Sequence, residues 1–164
     1  MASLAQRTLA VNQVSVLFVC LGNICRSPTA EAVFRSMVRE AGLADRVVID
    51  SAGTSSWEVG NPPDERSVRV ASRRNYSFDG QTARQLTRAD LEEFDLIVAM
   101  DRSNLKGIAQ LDGEADARLL LDFAPDLKGE EVPDPWYHGR FEAVLDMIEQ
   151  GAAGLLDEVR KRLA

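Results

Sequence analysis

Residues 14–34 read "VSVLFVCLGNICRSPTAEAVF". The first seven, Val14 to Cys20, form a short apolar run rich in β-branched residues, the pattern of a strand covered on both faces. From Ser27 the pattern turns helical. Ser27 is expected as N-cap, Pro28 at the first helical position and Gly42 as the stop. Ala32, Val33, Met37 and Val38 supply its buried stripe, and Glu31 falls one place late for a capping box. A strand that passes through a polar, glycine-containing loop into a helix is the opening of a βαβ unit, and the rest of the chain repeats that alternation.

"RVVIDSAGT" (46–54), "DLIVAMD" (95–101) and "ARLLLD" (117–122) read as three further strands. Helices are expected from about Asp64, across "RSNLKGIAQL" with Ser103 and Asn104 as candidate caps, and through the final "RFEAVLDMIEQGAAGLLDEVRKRLA". The expected fold is α/β: a three-layer sandwich whose central four-stranded parallel sheet is flanked by helices on both faces, doubly wound and flavodoxin-like. Ligands of such sheets sit beyond the carboxyl ends of the strands. That rule gathers Cys20–Arg26, Ser51–Trp57 and Asp101–Asn104 along one rim. Gly151 and Gly154 weaken the last helix by about 1 kcal/mol each relative to Ala, and close packing against the sheet is the expected reason for them. The stretch from Phe123 to Gly139 is a long loop, of the kind that is often functional.

With 164 residues, 45% of them apolar, residues 14–164 fit one domain with its own core. Residues 1–13, "MASLAQRTLAVNQ", lack the basic start and long apolar run of a signal peptide and read as a flexible extension. No run approaches the ~18 apolar residues that span a bilayer. Two cysteines and one histidine make neither a disulfide framework nor a four-ligand zinc set, so no metal or other cofactor is expected, and a reducing, cytoplasmic location is the default. The net charge of −7 argues against nucleic acid as a partner. An anionic substrate must then be attracted locally.

Cys20 to Arg26 offers that local attraction. A loop feeding a helix N-terminus presents unpaired N–H groups in one direction and a partial positive charge. Gly22 is expected to relax the backbone, and Asn23 tolerates the left-handed region. Arg26 brings a planar fork that can hold two phosphate oxygens. The same donors favour the thiolate of Cys20, the nucleophilic form. Alone, Cys20 would read as a small buried apolar residue; with its neighbours at these spacings it reads as a nucleophile beneath a phosphate cradle. The loop lacks the Gly-Lys-Ser/Thr ending of a nucleotide-binding loop.

"VLFVCLGNICRSPTAEAVF", together with "DSAGTSSWEVGNPPD", "TARQL", "DLIVAMDRSNL" and "VPDPWYHGRFEAVLDMIEQG", resembles the low-molecular-weight protein tyrosine phosphatases over nearly the whole chain from Val14. The Cys-to-Arg spacing alone is shared by unrelated phosphatases; the full string with the late Asp-Pro-aromatic-Tyr is far more specific. The resemblance implies that Cys20 attacks phosphorus to form a phosphocysteine. The backbone of Leu21, Gly22, Asn23, Ile24, Cys25 and Arg26, with the Arg26 side chain, would hold the phosphoryl oxygens. Asp134 would act as general acid, then base. It also implies that Ser27 donates to the Cys20 sulfur, that Ser51 helps pin Asn23, and that Asp101 supports the loop. Gln81 stands where the family usually has a His that also pins Asn23, a departure. Trp57, Trp136 and Tyr137 would wall a slot for an aromatic leaving group. Cys25 either lends only its amide or pairs with Cys20 in a reversible disulfide. His138 is expected to be solvated.

The implied partner is a phosphotyrosine-bearing protein, met by a monomer or weak dimer. Three rivals stand beside this reading. An arsenate reductase on the same fold needs a third thiol that the chain lacks. A protein-arginine phosphatase carries threonine where Ile24 stands. A phosphotyrosine-binding module without catalysis has usually lost the nucleophile, the arginine or the acid.

Overall fold

The computed structural model describes residues 12–164. Strand β1 (Val14–Cys20) is buried along its entire length, as a strand covered on both faces must be. It lies between β2 (Val47–Gly53) and β3 (Leu96–Ala99), and β4 (Ala117–Leu119) completes a sheet of order β2-β1-β3-β4. All pairings are parallel. The chain therefore winds one way from β1 to β2 and the other way from β3 to β4. Cys20 ends the central strand at that switch point, opposite Gly53, where doubly wound sheets open a crevice.

The helices are α1 (Arg26–Glu40), α2 (Glu65–Ser72), α3 (Arg88–Glu93), α4 (Arg102–Leu111), α5 (Pro135–His138) and α6 (Phe141–Leu163). Alternate residues of β1 feed two cores. Val16 and Phe18 pack with Val33 and Phe34 of α1 and Ile148, Leu155 and Val159 of α6. Leu17 and Val19 pack with Phe94 and Ile108 on the opposite face. Phe18 and Phe34 meet edge to face at 5.7 Å. The three-layer sandwich is as the alternation of elements predicts.

Several local expectations change. Helix α1 begins at Arg26, two residues earlier than expected: Cys25 occupies the N-cap with no side-chain bond, and Pro28 is the third helical residue. Pro28 still costs nothing there, since the first-turn amides have no intrahelical partner. Gly42 stops the helix as expected, with φ of 73°. In α4 the N-cap is Asp101 rather than Ser103 or Asn104; Asn104 instead closes a capping box back onto it. Helix α3 lies outside the helices that the sequence pattern predicts, although Thr87 and Asp90 form a reciprocal capping box at its start. Strand β4 ends at Leu119, and Leu120–Phe123 turns into a 3-10 helix. That turn, not the sheet, explains the glycines of α6. A Cβ on Gly154 would lie 1.7 Å from the Phe123 carbonyl oxygen, and one on Gly151 2.6 Å from Leu120 Cγ.

The expectation for residues 1–13 falls mostly outside the described residues. Within them, Asn12 donates to the Leu163 carbonyl and Gln13 to that of Asp45. Among the described residues no helix is long and apolar enough to cross a membrane.

Candidate active site

Between Cys20 and Arg26 the chain leaves the sheet and enters α1, curling around the Cys20 sulfur. The Asn23 amide donates to Sγ at 3.3 Å, and Ser27 Oγ lies 3.0 Å from it. Asn23 takes the left-handed conformation, φ 58°, which turns its amide inward. Gly22 is not among the residues with positive φ, so its expected role as the backbone hinge passes to Asn23. The amides of Gly22, Ile24 and Cys25 find no acceptor among the described residues, leaving donors for an incoming anion.

The loop is fastened from outside. Thr54 and Ser55 donate their amides to the carbonyls of Cys20 and Leu21, and Asp64 donates to Ile24, all at 2.8–2.9 Å. Asn23 is buried and fully engaged: Nδ2 donates to Ser27 Oγ and Ser51 Oγ, while Oδ1 accepts from the Arg84 amide. Ser51 in turn donates to Glu31 Oε1 at 2.7 Å. Burial pushes the Glu31 carboxyl up, against the pull of Ser51 and Arg35. These directions decide the role of Ser27. Its oxygen already accepts from Asn23, so its own hydrogen is free for the sulfur. Ser27 serves the sulfur and does not cap the helix.

Gln81 does not touch Asn23. Its Nε2 donates to the Pro28 carbonyl at 3.0 Å and its Oε1 is buried without a partner. The Arg84 backbone does the pinning instead, three residues along the same segment. Because a backbone amide of any residue can do this, the sequence carried no signal for it.

Arg26 is buried, 3% exposed, beneath the mouth of the site. Its Nη1 donates to Asp101 Oδ2 at 2.6 Å and to the Val132 carbonyl at 2.9 Å. Burial works against its charge, but the Cys20 sulfur, Asp101 and Asp134 outweigh burial and raise its pKa. Asp101 accordingly has two tasks, capping α4 and aiming the guanidinium. Asp134 reaches in from the far side: its Oδ2 lies 3.6 Å from Arg26 Nη2, and its Oδ1 accepts the Trp136 amide at 3.1 Å. It is at once the N-cap of α5 and a carboxylate over the cradle.

These groups line a pocket of about 210 Å³ with Cys20 and Arg26 at the floor. Ile24, Trp57, Trp136 and Tyr137 form its walls, with Glu58 and Asp134 at the rim. Trp57 and Tyr137 are each 77% exposed, so none of this aromatic surface is core. Among the described residues, His138 accepts only from the amide of Arg140, two residues on. Cys20 and Cys25 are both free thiols. Burial first, then Asp64, pushes the Cys25 thiol up to about 12, against a Ser67 hydrogen bond.

The arrangement suits a tetrahedral oxyanion with an aromatic ring attached. The model of the family described as low molecular weight phosphotyrosine protein phosphatase matches residues 15–164. The chain belongs to that family. It is 45% identical over 151 residues to the low molecular weight protein-tyrosine-phosphatase YfkJ of Bacillus subtilis, covering 90% of this chain and 97% of that one. The YfkJ crystal structure superposes with a TM-score of 0.89 at 43% identity, covering 93% and 98% of the two chains. A protein tyrosine phosphatase from Entamoeba histolytica follows at 0.85 and 36% (91% and 98% covered). An arginine phosphatase from Drosophila gives 0.78 and 32% (87% and 96% covered).

Three further residues support the Cys20–Arg26 loop from outside. Gly53 carries no conformational signal, yet a Cβ there would lie 2.7 Å from the Leu21 carbonyl oxygen. Glu31 and Asp64 act through the loop they support. Their sequence signals, a helical acid and an acid after a proline pair, are too common to single out.

Proposed function

We propose that the chain hydrolyses phosphotyrosine in proteins, and small aryl phosphates, through a phosphocysteine. The thiolate of Cys20 attacks phosphorus while the bond to the phenolic oxygen breaks. The loop amides from Leu21 to Arg26 and the Arg26 fork hold the three equatorial oxygens as charge redistributes. Asp134 gives its proton to the leaving phenolate. It then takes one from the water that attacks the phosphocysteine, which releases phosphate and restores the thiolate. Cys25 would close a reversible disulfide with Cys20 once peroxide has converted the latter to a sulfenic acid, water leaving as the bridge forms. A reduced compartment such as the cytoplasm suits a free thiol nucleophile. One chain supplies every group the reaction needs, which supports action as a monomer.

The observation that carries this reading is the convergence on one sulfur: an inward amide, a hydroxyl whose hydrogen has no other destination, and a buried guanidinium facing a carboxylate. An arginine phosphatase is the specific alternative, given the Drosophila neighbour. The apolar wall of Ile24, Trp57 and Trp136 favours a flat ring over a hydrogen-bonding guanidinium.

Steady-state kinetics test the reading on phosphotyrosine, phosphoserine and phosphoarginine peptides. Phosphotyrosine is expected to lead by at least tenfold in kcat/KM, and Cys20→Ser to abolish turnover. A phosphoarginine preference, or turnover surviving in Cys20→Ser, would overturn it.

A further inference from the structure

Arg66 is not among the residues that line the pocket, yet it ties the two halves of the site together. Its Nε and Nη2 grip both oxygens of Asp64, at 3.1 and 3.0 Å. Asp64 caps α2 through the Arg66 amide at 2.8 Å, and its own amide donates to Ile24 in the phosphate loop. On its other side the guanidinium lies 5.1 Å from the ring centroid of Trp136 and 4.7 Å from that of Phe141. Trp136 is the residue whose amide holds Asp134 Oδ1. A continuous chain of contacts thus runs from Ile24 through Asp64, Arg66 and Trp136 to Asp134.

Resting on the acid–base role just assigned to Asp134, we propose that Arg66 is a positioning residue for that carboxyl group. The segment carrying Asp134 has few anchors of its own. Val132 is held by Met100 and Arg26, Pro135 is buried, and Gly139 closes α5 onto the Pro135 carbonyl. The Trp136 ring, half exposed, needs an outside surface to fix its plane, and the flat guanidinium supplies one. The fork to Asp64 fixes the guanidinium in turn, leaving it one orientation. Asp64 is held below the ordinary carboxylate range: burial opposes this, but the Arg66 side chain and amide prevail. The pair therefore stays charged throughout the neutral range.

Lysine could not replace this group. It keeps the charge but has neither the fork nor the flat face. Among the described residues, Arg66 itself makes no hydrogen bond to the phosphate loop, which is reached through the Asp64 backbone amide, so its effect falls mainly on the Trp136 side.

The test compares kcat/KM for 4-nitrophenyl phosphate, whose phenol leaves readily, with that for phenyl phosphate, whose phenol needs a proton. In Arg66→Leu and Arg66→Lys, phenyl phosphate is expected to lose about tenfold and 4-nitrophenyl phosphate less than about twofold, with inhibition by inorganic phosphate unchanged. In an Asp134→Ala background, Arg66→Leu should cost nothing further. Equal losses on both substrates, full activity in Arg66→Lys, or an additive loss in the double variant would overturn the proposal. Failure of the Asp134 assignment looks different: Asp134→Ala alone would then show no dependence on the leaving group. A variant that merely unfolds would lose phosphate binding as well, which phosphate inhibition reads directly.

Discussion

Replacing Gly53 by alanine places one methyl group against the main chain of the phosphate loop. The added Cβ would sit 2.7 Å from the Leu21 carbonyl oxygen, 3.0 Å from the Gly22 carbonyl carbon and 3.1 Å from the Asn23 nitrogen. Ordinary contact begins at 3.4 Å, so the Leu21 oxygen must retreat by about 0.7 Å. That oxygen is held by the Ser55 amide at 2.9 Å and the Ser55 hydroxyl at 3.0 Å, and the strain passes into the loop. Misplacement of a reacting centre by about 1 Å costs on the order of 100-fold, so kcat/KM should fall roughly 10- to 100-fold. Overpacking of this kind costs about 1–3 kcal/mol of stability, or roughly 2–10 °C in Tm for a chain of this size. Kinetics with 4-nitrophenyl phosphate, phosphate inhibition and a thermal melt measure all three. Gly113→Ala is the control, because the nearest atom to its Cβ would be the Ala109 carbonyl oxygen, at 3.8 Å, and its effect on kcat/KM should stay below about threefold. If Gly53→Ala keeps kcat/KM and phosphate inhibition within twofold of the parent, the loop does not depend on that space.

Ser27→Ala should lower kcat about tenfold, the loss of one hydrogen bond to a charged group, with a drop in Tm of a few degrees because buried Asn23 Nδ2 also loses an acceptor; an unchanged kcat would reject its bond to the sulfur. Asp101→Asn keeps a capping side chain but removes the charge that aims Arg26, so phosphate inhibition should weaken severalfold while the melt moves little. Cys25 has its pKa raised from 9.0 to about 12. Between those values the folded chain keeps a proton that the unfolded chain gives up, so stability falls as pH rises through that window. Urea titrations at pH 8 and pH 10 should therefore show a smaller difference in Cys25→Ala than in the parent; an equal difference would refute the assignment. The same shift predicts that peroxide-induced bridging of Cys20 and Cys25, followed by mass spectrometry, quickens as pH rises above neutral.

What was legible in the sequence was whatever depends on local pattern. Apolar runs of the right length gave the four strands, and Asn23, which tolerates a positive φ, marked the turn of the loop. Cys20 and Arg26 could be picked out from their spacing around a strand–loop–helix junction; Asp134, one acid before a proline, stood out only through the family resemblance of the Asp-Pro-aromatic-Tyr run. Helix α3 escaped because it is short and its only signal is the Thr87–Asp90 box. Of the two roles expected of Ser27, the contact with the sulfur holds and the cap does not, because the sequence does not say whether a hydroxyl beside a helix start faces the first-turn amides or a sulfur seven residues back.

From its own order of residues, then, the chain determined its alternating elements, the proposed nucleophile and the loop that surrounds it, since these follow from spacing along a single strand–loop–helix unit. Only the folded molecule decided that Arg84 and not Gln81 pins Asn23, that Gly53 and Gly154 must lack side chains, and that Arg66 joins Asp64 to Trp136. Each of those facts is a contact between segments far apart in the chain. The distance between such segments is set by how sheet and helices pack, a sum over the whole core that no local stretch contains.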